Sequence, residues 1–226
     1  MIDVKLQQLA DSLEWLCNAG FRMKQCGKNI YIDPWKLTEP DRADLVLITH
    51  SHFDHLDPES LRLIVHEQTT IVCPTESVSK ARELGIGAVL PIAAGQQIRW
   101  EGINIEAVPM YNTQKPQFHP RANGWVGYVL EFDGLRLYHA GDTERTPEMA
   151  NVACDLVLMP LGQTYTMNSV DEAAQCVIDT KARMAIPMHF DVHESQPGDS
   201  ERFAQLLSGH AEVVIKKPLI AHIKDQ

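Results

Sequence analysis

A nine-residue stretch, THSHFDHLD at residues 49–57, constrains this chain more than any other part of the sequence. It follows residues 45–48, an apolar run whose length and β-branched content predict a buried strand. Side chains placed where a core strand ends and the chain turns can converge on one point. Within the stretch, an H-x-H-x-D-H pattern supplies four side chains of the kinds that bind zinc, manganese or iron, namely His50, His52, Asp54 and His55.

The spacing of these four residues favours two metal ions. Residues two apart on an extended segment point the same way, so His50 and His52 can bind one ion. Asp54 and His55 lie beyond the bend, where they can hold a second ion from the opposite side of the same cavity. The alternative is a polar loop or a helix cap, since Asp-Pro-Glu at residues 57–59 can begin a helix. Four ligand-type residues in six positions favour the metal site over that alternative.

The size of the chain sets its class. With 226 residues it can bury a full α/β core, and we expect residues 1–226 to form one domain. No apolar run approaches the ~20 residues of a membrane span, and the N-terminus lacks the basic start and apolar core of a signal peptide. The five cysteines form no C-x-x-C pair, which is typical of reduced thiols. We therefore expect a cytoplasmic protein that does not bind a membrane.

The charge of the chain limits its partners. The net charge is −10, and an acidic surface repels phosphate backbones, so nucleic acid is not an expected partner. A local basic patch can still hold one small phosphate. The expected partner is thus a small-molecule substrate that can carry an anionic group, and formation of a homo-oligomer is left open.

The order of the predicted elements is typical of a mixed α/β protein. Residues 110–124 form the longest stretch without periodicity, and loops of this length tend to be functional or disordered. Residues 1–16 predict an amphipathic helix, and a capping box from Ser169 to Glu172 predicts another. The remaining expectations are hairpin turns at Gly27-Lys28 and Asp133-Gly134 and peripheral strands at 213–215 and 219–223.

THSHFDHLD resembles the signature of the metallo-β-lactamase superfamily. Three further segments extend the likeness to its small, single-domain branch of L-ascorbate-6-phosphate-lactonase-like metal-dependent hydrolases. These segments are YIDPW at 31–35, YHAGDT at 138–143 and PMHF at 187–190. The resemblance covers about residues 13–208. It implies a four-layer αββα sandwich with the metal ions at one edge of its two sheets.

The resemblance also implies two sets of ligands joined by a shared carboxylate, for two divalent ions, with zinc favoured and manganese as the alternative. His119 takes the place of the third ligand motif, although a loop histidine there can instead contact only substrate. Asp142 is implied to bridge the ions, and His189 follows the apolar run 184–188. The first ion would be bound by His50, His52 and His119, and the second by Asp54, His55 and His189.

Such a site predicts hydrolysis without a protein nucleophile. Two cations a few ångströms apart lower the pKa of a shared water from ~15.7 towards ~7, so metal-bound hydroxide is the expected nucleophile. Asp54 can ligate through one oxygen and take or pass a proton with the other. His193, in a polar loop, can protonate a leaving group or be merely solvated. Asp33, at a strand end, either orients a ligand histidine or forms a turn.

The candidate substrate contacts are Asn18, Tyr111, Lys115, Arg121 and Tyr165. Chains of the branch often carry histidine where this one has Asn18, which leaves the substrate open. A flavin-partnered di-iron protein is disfavoured, since those relatives typically have glutamate at the position of His52. We expect hydrolysis of a small ester, a lactone of the sugar-phosphate type or a small phosphodiester. The alternative is a non-catalytic metal-binding or regulatory protein that keeps the site.

Overall fold

The computed structural model describes residues 4–39, 41–85, 87–190 and 194–220. Within these ranges its α-helices are α1 (Val4–Ser12), α2 (Pro58–Ile64), α3 (Val78–Arg82), α4 (Val170–Asp179) and α5 (Asp199–Leu206). Its strands are β1 (Glu14–Cys17), β2 (Gly20–Gln25), β3 (Lys28–Ile32), β4 (Leu45–Leu47), β5 (Thr70–Pro74), β6 (Ala88–Ile92), β7 (Gln97–Trp100), β8 (Ile103–Pro109), β9 (Val126–Phe132), β10 (Leu135–His139), β11 (Leu156–Pro160), β12 (Met184–Met188) and β13 (Glu212–Val213). Among these residues no helix has the length and apolar character needed to cross a membrane.

The strands form two mixed sheets. The first has the order β1-β2-β3-β4-β5-β6, antiparallel from β1 to β3 and parallel from β3 onwards. The second has the order β13-β12-β11-β10-β9-β8-β7, parallel from β13 to β10 and antiparallel from there to β7. Parallel strands bring their carboxyl ends to one edge of a sheet, which is where ligands bind in α/β proteins.

Alternation along β4 explains the layers. Leu45 and Leu47 belong to the core between the two sheets, while Val46 packs on the outer face with Leu61 of α2 and Ala81 of α3. On the outer face of the second sheet, α4 packs against β11 and α5 against β13. The order of layers is therefore helix, sheet, sheet, helix, and the predicted αββα sandwich is confirmed.

The first predicted helix is shorter than expected. It ends at Ser12, because Trp15 and Cys17 pair with β2 and are buried in the first sheet. The indole nitrogen of Trp15 also donates to the carbonyl oxygen of Asn18, at 2.8 Å. Tertiary pairing thus overrides the helical periodicity of the final residues of this stretch.

The C-terminal strand predicted at residues 219–223 is wrong for the part that is described. Leu219 and Ile220 form a bend, and their amides donate to the carbonyl oxygens of Trp15 and Leu16. Residues 221–223 lie outside the described residues.

The predicted turns and cap are close to those observed. Phe132 pairs with Leu135 across Asp133-Gly134, whose positive φ angles of 51° and 78° are those that such a two-residue turn requires. Between β2 and β3 the turn lies at Cys26-Gly27, one residue earlier than predicted. At the start of α4, the side chain of Ser169 accepts from the Glu172 amide at 3.0 Å.

Candidate metal centre

The first set of predicted ligands converges beyond the end of β4. His50 Nε2 lies 3.0 Å from His52 Nδ1. The ring centroid of His119 lies 5.3 Å from that of His50 and 5.1 Å from that of His52. One nitrogen of each histidine lies within 4.8 Å of the other two, so the three side chains can hold one ion. His119 reaches this point from the loop between β8 and β9.

The second set of predicted ligands also converges. Ligand atoms of Asp54, His55 and His189 lie within 4.8 Å of one another. His55 Nε2 is 3.6 Å from Asp54 Oδ2, and the rings of His55 and His189 are stacked at 6.2 Å. His189 comes directly after β12, so the core holds its backbone. The structure thus assembles the two groups of three that the sequence predicts.

Asp142 lies between the two sets. Its Oδ2 is 3.1 Å from His189 Nε2 and 3.3 Å from His55 Nε2. The same oxygen is 3.6 Å from His119 Nε2 and 4.0 Å from His50 Nε2. One buried carboxylate oxygen therefore faces imidazoles of both sets, which is the geometry of a bridging ligand.

Gly141 allows this close approach. Its φ angle is +68°, which glycine adopts without strain, and a Cβ atom there would collide with Met110 Sδ. The amide of Asp142 lies 3.1 Å from the same sulfur. A larger residue at position 141 would therefore strain the backbone and force the Met110 side chain to move.

Four buried polar atoms at this centre fit divalent cations. Among the described residues, no hydrogen-bond partner is found for Nε2 of His55, His119 and His189 or for Oδ1 of Asp142. An unpaired buried polar atom costs roughly 1–3 kcal/mol, so several at one point require an explanation. Imidazole nitrogen and carboxylate oxygen are donors that zinc and manganese accept, and an ion would satisfy these atoms.

Outer hydrogen bonds set which nitrogen each histidine presents. His55 Nδ1 lies 2.8 Å from Asp33 Oδ2, and His119 Nδ1 lies 3.2 Å from the carbonyl oxygen of Tyr165. A carbonyl or carboxylate oxygen accepts, so Nδ1 carries the proton in both rings. In the neutral form of each ring, the lone pair of Nε2 is then directed at the centre, as metal ligation requires.

Asp33 connects the two sets of ligands through hydrogen bonds to His55 and, by way of Thr49, to His50. It is fully buried and accepts from the amide of Thr49 at 2.8 Å and from its hydroxyl at 2.5 Å. That hydroxyl in turn lies 2.9 Å from His50 Nδ1. Asp33, His50 and His55 also lie close enough to bind an ion together. Because the oxygens of Asp33 already accept these bonds, we assign it the orienting role, one of the two alternatives that the sequence left open.

The charges around Asp142 stabilise a cation. Burial lowers the pKa of His50 well below its usual range and that of His119 to about 4, so both rings are neutral near pH ~7. Burial also lowers the pKa of His55 and His189. The surrounding carboxylates together outweigh burial, Asp142 with Asp54 and Asp33 at His55 and Asp142 with Glu194 at His189, and raise both pKa values well above their usual range. Burial raises the pKa of Asp142, yet His189 and His55 hold it well below its usual range.

An aromatic wall closes one side of the first set. The ring of Trp125 lies 4.9 Å from that of His50, 4.8 Å from His52 and 5.7 Å from His119. Its indole nitrogen donates to Glu76 Oε2 at 2.8 Å, which fixes the plane of the ring. Sequence analysis did not identify Trp125 or Glu76, because only the folded chain brings Glu76, 49 residues earlier, to this tryptophan.

Glu144 shapes the loop that carries His119, and sequence analysis did not identify it either. Its carboxylate is fully buried and accepts from the amides of Thr113 and Gln114 at 2.6 Å and of Lys115 at 3.0 Å. Three backbone donors from one loop therefore converge on a residue two positions after Asp142. This fixes the start of the loop relative to the metal centre.

Lys115 is used to join two loops. Its ammonium donates to the carbonyl oxygens of Gln163 at 2.9 Å and Met167 at 3.0 Å, and lies 3.9 Å from Glu144 Oε1. These contacts tie residues 110–124 to the loop after β11. They support a structural role and give no support to its predicted contact with substrate.

Arg121 and Tyr111 form a cluster with Glu148. The Arg121 guanidinium lies 2.7 Å from Glu148 Oε1 and stacks over the Tyr111 ring at 4.9 Å. The Tyr111 hydroxyl donates to Glu148 Oε2 at 2.8 Å. Arg121 is thus already paired with a carboxylate, which weakens its predicted role in holding an anion.

The remaining predicted residues occupy different positions. Tyr165 contacts His119 through its carbonyl oxygen, and the residue is 42% exposed. The amide side chain of Asn18 donates to Asp54 at 2.9 Å, so it contacts a predicted ligand. His139 is buried and its Nε2 lies 2.8 Å from the carbonyl oxygen of Ala19. His193 lies outside the described residues, and its proton-transfer role stays a prediction.

Replacement Glu144→Gln is expected to weaken metal binding by the set that contains His119. Both carboxylate oxygens of Glu144 accept hydrogen bonds from backbone N–H groups. The side-chain amide of glutamine replaces one of these oxygens with an NH₂ group, which cannot accept, so the loop loses part of its support. We expect metal affinity of the His50, His52 and His119 set to fall by ~10–100-fold, the usual effect of losing an outer contact. Zinc titration against a competing chelator measures this.

The matched control for this variant is Glu131→Gln, which removes the same charge from a surface pair with Arg136. Unchanged binding in the Glu144 variant, or equal losses at both sets of ligands, would contradict the role given to Glu144.

Comparisons with known proteins give the family of this chain. The sequence model described as the beta-lactamase superfamily domain matches residues 12–189. A UPF0173 metal-dependent hydrolase of Caldivirga maquilingensis is 31% identical over 91% of this chain and 95% of its own length. The corresponding protein of Thermococcus onnurineus is 32% identical, over 84% of this chain and 90% of its own length.

Solved structures support the same assignment. A proposed metal-dependent hydrolase from Parabacteroides distasonis is 32% identical, with a TM-score of 0.80 over 91% of this chain and 92% of that one. Igni18, a metallo hydrolase from Ignicoccus hospitalis, shares the fold at 22% identity and a TM-score of 0.75, over 91% and 94% of the two chains. The predicted superfamily is confirmed, and the lactonase-like branch stays a prediction. The chain belongs to the UPF0173 family of metal-dependent hydrolases in the metallo-β-lactamase superfamily.

Proposed function

We propose that the protein is a dinuclear hydrolase in which each set of three ligands binds one divalent ion and Asp142 bridges the pair. The observation that carries this proposal is the position of Asp142 Oδ2, within 3.1–4.0 Å of imidazoles from both sets. The unpaired buried atoms at the same point support it. A ligand group rich in imidazole favours zinc, with manganese as the alternative.

When bound, two divalent ions lower the pKa of water towards ~7 and polarise the bond under attack. In the proposed reaction, the water oxygen bonds to the acyl carbon or phosphorus while the bond to the leaving oxygen breaks. We assign to Asp54 the role of accepting the proton of the attacking water. Its Oδ2 faces His55 and accepts from Asn18, which leaves Oδ1 for the proton. The proton then passes to the leaving oxygen, directly or through His193.

The surroundings of the centre favour a small ester or lactone with an apolar group. Phe53, between two predicted ligands, is 72% exposed and packs edge-to-face with Trp35 at 5.9 Å. On the side of His119, the exposed ring of Tyr165 packs on Phe118 at 4.8 Å. Exposed aromatic rings favour apolar substrate groups. Because Lys115 and Arg121 have partners within the protein, a sugar-phosphate lactone or phosphodiester ranks second.

Oxygen-18 water tests this proposal. Metal-loaded protein is mixed with an aryl acetate, a sugar-phosphate lactone and an aryl phosphodiester, and turnover and product mass are measured. We expect chelator-sensitive hydrolysis, restored by added metal, with one heavy oxygen incorporated in single-turnover product, because water is the nucleophile. We expect the fastest turnover with the aryl ester.

A trapped acyl- or phosphoryl-enzyme would contradict this chemistry. Absence of turnover for every substrate by protein that holds two ions would favour the alternative of a non-catalytic metal-binding or regulatory protein.

A further inference from the structure

Asn18 lies at the turn between β1 and β2 and contacts two of the three residues of the second set. It is 4% exposed, and its side-chain amide donates to Asp54 Oδ2 at 2.9 Å. Its carbonyl oxygen accepts from the amide of His189 at 3.0 Å. One residue thus bonds the side chain of one predicted ligand and the backbone of another.

The backbone at this turn is built for these contacts. The φ angle of Asn18 is 49°, a left-handed conformation that asparagine adopts more readily than most residues. The same carbonyl oxygen accepts from the Trp15 indole at 2.8 Å. Trp15 stacks on Phe190, the residue after His189, with ring centroids 4.9 Å apart. The turn and the end of β12 therefore form one packed unit.

The side chain of Asn18 donates to the oxygen of Asp54 that faces His55. Asp54 Oδ2 accepts from Asn18 and also lies 3.6 Å from His55 Nε2. A neutral amide donor fixes the rotamer of this carboxylate without adding a charge of its own. The described contacts of Asn18 include none with His50, His52 or His119, so its effect is directed to one set.

We propose that Asn18 is a positioning residue that sets the metal affinity of the Asp54, His55 and His189 set. The proposal rests on the dinuclear site proposed above. It changes the role predicted for Asn18 from substrate contact to support of a ligand. Outer contacts of this kind are worth ~10–100-fold in metal affinity.

Asn18→Gly tests the proposal, because glycine accepts the left-handed backbone and keeps the carbonyl contacts while the amide side chain is lost. The matched control is Lys181→Gly, at an exposed position with a φ angle of 56°. Each change is made in three backgrounds: the otherwise unaltered protein, a His52→Ala variant that weakens the first set, and a His189→Ala variant that weakens the second. Zinc and cobalt(II) titrations give affinities, cobalt(II) absorption reports ligand geometry, and thermal melting reports folding.

In the unaltered background, Asn18→Gly is expected to lower the affinity for one of the two ions by ~10–100-fold. Lys181→Gly is expected to leave both affinities unchanged. In the His52→Ala background, Asn18→Gly should lower the affinity for the ion that remains. In the His189→Ala background it should have no effect on metal affinity.

Two binding events of unchanged affinity in Asn18→Gly would overturn the role of Asn18, and so would equal weakening in the two histidine backgrounds. If the unaltered protein binds fewer than two ions, the dinuclear proposal itself fails, so the two failures are distinguishable.

Discussion

Replacement Asp142→Asn is expected to lower the affinity for the metal pair by more than ~100-fold, beyond the usual effect of an outer contact, and to remove most hydrolysis. The carboxylate oxygen of Asp142 lies 3.1 Å from His189 Nε2 and 3.6 Å from His119 Nε2, so it faces both sets. An amide of the same shape carries no charge to offset two cations. One substitution therefore removes the negative charge that would offset both ions.

The control for this variant is Asp171→Asn, the same change in an exposed ion pair with Arg202. Exposed pairs contribute roughly 0–1 kcal/mol, so the control should bind metal and melt like the unaltered protein. Metal content by elemental analysis, melting temperature and turnover are measured together. An Asp142→Asn protein with two tightly bound ions and normal turnover would contradict the bridging role.

His189→Ala and His193→Ala are expected to separate metal ligation from proton transfer. His189 is 3% exposed, directly follows β12 and donates its amide to Asn18, so its position is fixed by the core. Its Nδ1 lies 3.3 Å from Glu194 Oε2, which leaves Nε2 for an ion. We therefore expect His189→Ala to lose the second metal ion.

For His193→Ala we expect both ions to remain. Its predicted role is to protonate the leaving group, so turnover of substrates with poor leaving groups should slow by ~10²-fold or more. Substrates with good leaving groups serve as the internal control, because they need no acid. Metal content and turnover decide the assignment, and loss of metal in the His193 variant with retention in the His189 variant would reverse it.

The candidate ligands could be identified from the sequence because most of them are short-range signals. Four of them lie within the six residues from His50 to His55, and a buried strand precedes them. Asp142 and His189 follow apolar strands in the same way, which places them at strand ends. The two groups of three that the structure assembles are those inferred from that pattern and from the family resemblance.

The supporting contacts could not be predicted because they join distant parts of the chain. Asn18 donates a hydrogen bond to Asp54, which lies 36 positions later in the chain. The backbone amides that donate to Glu144 lie about 30 positions before it. In a loop without hydrophobic periodicity, the sequence also does not indicate which partner a side chain will contact. The sequence predicts that Lys115 contacts substrate, whereas in the folded loop its ammonium group donates to two carbonyl oxygens.

The number of metal ions bound per chain tests the central claim most directly. Protein is stripped with a chelator, loaded with zinc or manganese, freed of unbound metal and analysed for its elemental content. The two sets joined by Asp142 predict about two ions per chain with the favoured metal. A content near zero after loading with either metal would contradict the account, and a content of one would contradict its dinuclear form.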